Sequence, residues 1–79
     1  MTDRVYRVES LWDPEAEVWV ATSAEIPGLA TEATSLELLT EKLKVMIPEL
    51  LAANGLLGDA LDLTFEVISH REERVLLAS

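Results

Sequence analysis

An α+β fold, a two-layer β-β-β-α-β sandwich with one helix on a mostly antiparallel sheet, is predicted for this 79-residue chain by three observations. Two period-2 runs, "RVYRVESLW" and "EVWVATS", flank a turn-forming "DPEA". A stripe of apolar residues at helical spacing follows, and after it comes another alternating run, "LDLTFEVISH". The length predicts one domain, 1–79, and domains of this size bury only about 60% of the surface their unfolded chains expose. Self-association is therefore an expected source of extra stability.

The first run alternates over Val5 to Trp12, with Tyr6, Val8 and Trp12 on one face and Arg7 and Glu9 on the other, as a half-buried strand requires. Asp13 opens a turn and Pro14 brings a preset φ to its second position, so the two runs form an antiparallel hairpin. Placing Trp12 opposite Glu17 sets Ser10 against Trp19 and Val8 against Ala21. Tyr6, Val8, Trp12, Trp19 and Ala21 then form the core face, and Val5, Leu11, Val18 and Val20 lie on the other. A one-residue slip would exchange the two faces.

At "EIPG", Pro27 cannot donate to a ladder and Gly28 permits positive φ, so the chain turns into a short third strand, "LATEA". Thr34 and Glu37 form a capping box. Behind it Leu36, Leu39, Leu43, Met46, Ile47, Leu50 and Leu51 make one helical stripe, closed by Asn54 and Gly55. Pro48 lies inside the stripe and removes the hydrogen bond to the Lys44 carbonyl, which predicts either a kink or a second short helix. The fourth strand turns Leu61, Leu63, Phe65 and Val67 inward. Residues 71–79, "REERVLLAS", form a tail that is either docked or free, with its apolar end offering an added strand or a partner contact.

A right-handed crossover places the fourth strand parallel to a strand of the meander and the helix over one sheet face. The other face stays bare. Because Leu11, Val18 and Val20 make it partly apolar, it is the expected self-association face of a homodimer.

Fifteen acidic residues against six basic ones give a net charge of −9. Nucleic-acid affinity comes largely from Lys and Arg on phosphate, so direct nucleic-acid binding is not expected. The six basic residues are also scattered. An acidic field favours a basic protein partner, and serves equally as a solubilising surface. The chain has no cysteine, which excludes thiolate chemistry and disulfides and points to a reducing, cytoplasmic setting. Neither a signal peptide nor an apolar run of about 18 residues is evident, so no membrane association is expected.

The stretch from Val8 to Leu51 resembles a family of small bacterial domains of unknown function that groups with the HicB antitoxins. The resemblance rests on a strand ending in Trp12-Asp13, the acidic turn with Pro14, "VWVA" around Trp19, the Glu25-Ile26-Pro27-Gly28 element, a Thr-led Leu- and Glu-rich helix, and "IPELL". It implies a truncated RNase H-like fold, self-association, and occlusion of a small basic RNA-cleaving toxin of the HicA type. Complete HicB proteins usually add a DNA-binding segment, whereas here only "REERVLLAS" follows the last strand, so operator binding is not implied. Many also have Cys after the Pro-Gly, where this chain has Leu29.

The residues themselves give no expectation of catalysis, of a metal or of a cofactor. Asp13, Glu15 and Glu17 share one turn, whereas RNase H-type two-metal chemistry needs carboxylates gathered from several strands. His70 stands at a strand end without a second histidine. No serine lies in a nucleophile motif and no glycine-rich phosphate loop occurs. Trp12 and Trp19 lack interleaved basic residues and are assigned to packing rather than base stacking. The expected function is a non-enzymatic protein-binding module, an antitoxin-like domain that covers a small basic ribonuclease, with outward Glu9, Glu32, Glu37 and Glu41 as contacts. The alternative is an orphan self-associating domain with a structural or regulatory role.

Overall fold

The computed structural model describes residues 4–78. Strand β1 spans Val5–Asp13, β2 Val18–Thr22 and β3 Ala30–Ala33; helix α1 spans Leu36–Ala53 and β4 spans Thr64–His70. The four strands form one sheet in the order β3-β2-β1-β4, with β1 antiparallel to β2, β2 antiparallel to β3, and β4 parallel to β1. This is the predicted β-β-β-α-β sandwich, with the crossover through α1 supplying the parallel strand.

The β1–β2 hairpin keeps the predicted faces but not the predicted register. Trp12 pairs with Trp19, Ser10 with Ala21 and Asp13 with Val18, rather than Trp12 with Glu17. The reason lies in Asp13. Its Oδ1 accepts the amides of Glu15 and Ala16 at 3.0 and 3.2 Å, and its carbonyl accepts the Glu17 amide at 2.8 Å. Asp13 is thus the last strand residue and the turn is Pro14–Glu17, closed by Glu17 at φ 56° in the left-handed region. Because opposite partners move by two residues, side-chain alternation is preserved.

One face of the sheet carries Tyr6, Val8, Trp19, Ala21 and Ala33, all buried against Leu39, Leu43, Ile47 and Leu51 of α1. Four helix residues at i, i+4, i+8 and i+12 make a single stripe, as the sequence spacing requires. Ile26 and Leu29 complete the core from the β2–β3 connection. There the Leu29 amide returns to the Ile26 carbonyl at 3.2 Å, with Pro27 and Gly28 at φ +80° between them. Positive φ after a proline is the arrangement of a type II turn.

Helix α1 corrects one detail and decides another. Ser35, not Thr34, is the N-cap: its backbone is extended and its Oγ accepts the Leu38 amide at 3.1 Å. With Leu36 as first helical residue, Thr34 lies one position too early to reach the orphan amides. At Pro48, where the sequence predicts a kink or a second short helix, α1 runs on to Ala53 as one element, so no second helix forms there. Its end is a Schellman closure, with the Leu56 amide on the Leu51 carbonyl, the Gly55 amide on Ala52, and Gly55 at φ +67°. Further on, β4 starts only at Thr64, and Leu61, expected to face inward, is fully exposed. The alternation of "LDLTFE" runs through Leu61, but the chain is still in the irregular connector there.

β1 outlasts its partner β2 by four residues, Val5 to Val8. At Arg7 the missing strand is replaced by side chains. The Glu25 carboxylate accepts the Arg7 amide at 2.6 Å, and the Ser23 hydroxyl donates to the Arg7 carbonyl at 2.6 Å. Buried Ser10 donates to Ser69 Oγ at 2.7 Å across the β1–β4 pair. Left unpaired, the buried Ser10 hydroxyl would cost about 1–3 kcal/mol, so its bond fixes the crossover strand, while the solvent-exposed Arg7 bonds hold the loop after β2.

Candidate functional site

Side chains that alternate away from α1 make the second face of the sheet, which no described element covers. The register builds it in rows across the strands. Glu32, Val20, Leu11 and His70 form one row; Ala30, Thr22, Glu9 and Ile68 form the next. Asp13 and Val18 extend it at the hairpin end, while Arg7 and Glu66 extend it towards the other end. Leu11 is 61% exposed and Val20 is 36% exposed. A short apolar strip, Leu11 and Val20 with Val18 and Ile68 beside them, thus lies within a rim of Glu9, Glu32, Glu66 and Asp13. Arg7 is the counterpoint, held by Glu66 at 3.3 Å with both side chains largely solvated.

The structure divides the four outward glutamates. Glu9 and Glu32 share the open face, whereas Glu37 and Glu41 stand on α1, which covers the opposite face. Glu32 and Glu41 meet only at the β3 margin, where an apolar groove formed by Val18, Ala33, Leu38, Val45 and Met46 runs between β3 and the helix. There the Lys42 ammonium donates to the Glu32 carbonyl at 2.6 Å and Lys44 pairs with Glu41 at 2.9 Å.

Of the conspicuous residues of the first hairpin and the following turn, Asp13, Pro14 and Glu25 build turns and substitute for strand pairing. Trp12 and Trp19 form a directly opposed cross-strand pair, ring centroids 5.4 Å apart and tilted by 59°. Arg71 stacks on this pair, its guanidinium carbon 4.2 Å from the Trp12 centroid and 6.0 Å from that of Trp19. Sequence reasoning missed that cation because 59 residues separate Trp12 from Arg71. The signal lies in the parallel β1–β4 register: Leu11 pairs with His70, so the next residues, Trp12 and Arg71, are neighbours.

Among the described residues, no group of three or more His, Cys, Asp or Glu side chains converges on a point where a metal could sit. Asp13 spends its carboxylate on the turn amides, and Glu15 and Glu17 are exposed around it. No helix is long and apolar enough to cross a membrane among the described residues.

This arrangement belongs to a recognisable lineage. A family model described as a domain of unknown function, DUF1902, matches residues 5–79, nearly the whole chain. The chain belongs to the DUF1902 family. The chain is also similar to the crystal structure of hypothetical protein TTHA1013 from the extremely thermophilic bacterium Thermus thermophilus. The two share 49% identity at a TM-score of 0.69, over 94% of this chain and 100% of that one. No functionally curated protein matches the chain. The DUF1902 match takes in residues 71–79 as well as the sheet and helix, so the tail is part of the family pattern.

Proposed function

We propose that this DUF1902 domain is a non-enzymatic binding module whose open sheet face covers a basic protein. The observation that supports the reading is the composition of that face: a small apolar strip, Leu11, Val18 and Val20, inside a rim of Glu9, Glu32, Glu66 and Asp13. Protein interfaces combine a desolvated apolar centre with a polar rim, and rim charge governs the encounter rate and the choice of partner. A net charge of −9 extends the attraction to long range.

The HicB-like sequence resemblance names the partner class. The partner is a small basic RNA-cleaving protein of the HicA type, and the mechanism is occlusion of its surface. Glu37 stands on α1 away from the open face and acts through the long-range field, while Glu41 reaches only the β3 margin of the face. The setting is cytoplasmic, where such a partner acts.

A second reading, in which the same strip takes another copy in an orphan self-associating domain, draws support from the exposed Leu11 and Val20. Face-to-face stacking, however, would set Glu9, Glu32 and Glu66 of one copy against the same acidic rim of the other. A basic partner fits the face better. The test is co-expression with the product of a short basic reading frame next to the gene, followed by affinity measurement at rising salt. Expected are a complex that weakens as salt rises and a Kd at least about tenfold higher for Leu11→Asp and for the double charge reversal Glu9→Lys with Glu32→Lys. A partner bound equally well by all variants, or no binding to any such neighbour, overturns the proposal.

A further inference from the structure

The two edges of the sheet are treated differently. β3 is four residues long, and the Lys42 ammonium stands on its Glu32 carbonyl, so that edge is short and guarded by a lysine. β4 is seven residues long, "TFEVISH", rich in β-branched and aromatic residues, with no proline, no lysine and, among the described residues, no strand on its outer side. Long unguarded edges of this composition invite pairing with another chain, and native proteins rarely leave them bare.

The chain then leaves β4 through Arg71, which stacks on Trp12, and runs on as an arm with an exposed apolar end. Val75, Leu76 and Leu77 are 75%, 81% and 89% exposed, and the molecule measures 61 × 25 × 19 Å. At the opposite end of β4, beside its first residue, lies a concave surface that includes Arg4, Leu56, Leu61, Asp59 and Asp62. Leu56 and Leu61 are exposed there. Arm and concavity match in chemistry. Arm leucines match exposed leucines, Arg74 carries the sign that suits Asp59 and Asp62, and Glu72 suits Arg4, while Glu73 is paired with Arg71 inside the arm. The concavity lies at the head of β4 and the arm starts at its tail, seven residues or about 23 Å away.

We infer that two copies pair antiparallel through their β4 edges, and that each arm lies across the other copy's concavity at the head of β4. Antiparallel pairing about a two-fold axis is what brings the tail of one β4 to the head of the other. Edge, arm and connector involve about 20 residues a side, the scale of a stable interface. The two sheets become one of eight strands with both helices on the same face. The opposite face stays open, so this inference goes beyond the proposed occlusion of a basic partner and does not depend on it.

Analytical ultracentrifugation over roughly 1–500 µM tests it. The full chain is expected to dimerise. Deletion of residues 72–79 and, separately, Leu61→Asp are each expected to raise the dimer Kd at least about tenfold, while Leu11→Asp leaves it unchanged. Circular dichroism of each variant controls for folding. Because the chain has no cysteine, oxidation of a mixture of Leu61→Cys and Leu76→Cys chains is expected to give the mixed disulfide dimer preferentially. A monomer throughout the range overturns the inference. So does a dimer indifferent to both arm deletion and Leu61→Asp, or one lost on Leu11→Asp alone. The arm folding back on its own β4 would appear as a monomer whose outer β4 amides are protected from hydrogen exchange, and that also overturns it.

Discussion

Replacing Glu25 with alanine removes the acceptor that stands in for a missing strand at Arg7. The bond is short, 2.6 Å from the Arg7 amide to a carboxylate oxygen, and charge-assisted bonds of this kind contribute about 1.5–3 kcal/mol when shielded from water. Glu25 is exposed, so water recovers part of that, and a loss of about 1–2 kcal/mol is expected. In a domain of this size each kcal/mol moves the melting temperature by about 4–8 °C. Thermal unfolding by circular dichroism at one fixed protein concentration should therefore show a drop of roughly 5–15 °C. Glu25→Gln keeps an oxygen acceptor without the charge and should lose about half as much. The Ser23 hydroxyl holds the other polar group of Arg7. A double-mutant cycle with Ser23→Ala should accordingly be non-additive by at least about 0.5 kcal/mol. An alanine variant that melts within about 1 °C of the parent would refute the reasoning. It would mean that water alone satisfies this end of β1.

Two further outcomes follow from the local corrections. Ser35→Ala should destabilise the protein by about 1 kcal/mol through loss of the N-cap, whereas Thr34→Ala should change stability by less than about 0.5 kcal/mol; chemical denaturation of both variants separates the two caps. Glu17→Gly should raise the denaturation midpoint, with a gain of up to about 1 kcal/mol, because a non-glycine residue at φ 56° is strained and the strain outweighs the extra chain entropy of glycine.

Much of the fold is legible in local periodicity. The alternation of "RVYRVESLW" and the stripe from Leu39 to Leu51 place the core on the right faces, and the hairpin faces survive the register error because the pleat repeats every two residues. The N-cap is less legible, since Thr34 and Ser35 are both capable caps and only the position of the first helical turn decides between them. Leu61 shows the opposite failure: alternation continues into a segment where the chain has not yet joined the sheet. What the sequence hides are relations across distance. Ser10 with Ser69, Arg71 on Trp12, and Glu25 on Arg7 each need a pairing register before the two residues become neighbours. The open face is half-visible. Leu11, Val18 and Val20 can be grouped from the hairpin alone, but the placing of Glu32 and Glu66 in the same rim depends on β3 and β4.

The parallel pairing of β1 with β4 makes the first strand wait for the last. Every partner on that side of β1 is 59 residues away, as in Val5 with Thr64 and Ser10 with Ser69. The hairpin and helix can gather during synthesis, but the side of β1 that β4 will occupy stays unpaired until residues 64–70 have emerged. Closing so long a loop costs entropy before any contact rewards it. In that interval it is β1, the longest strand of the sheet, that offers an open edge to neighbouring chains.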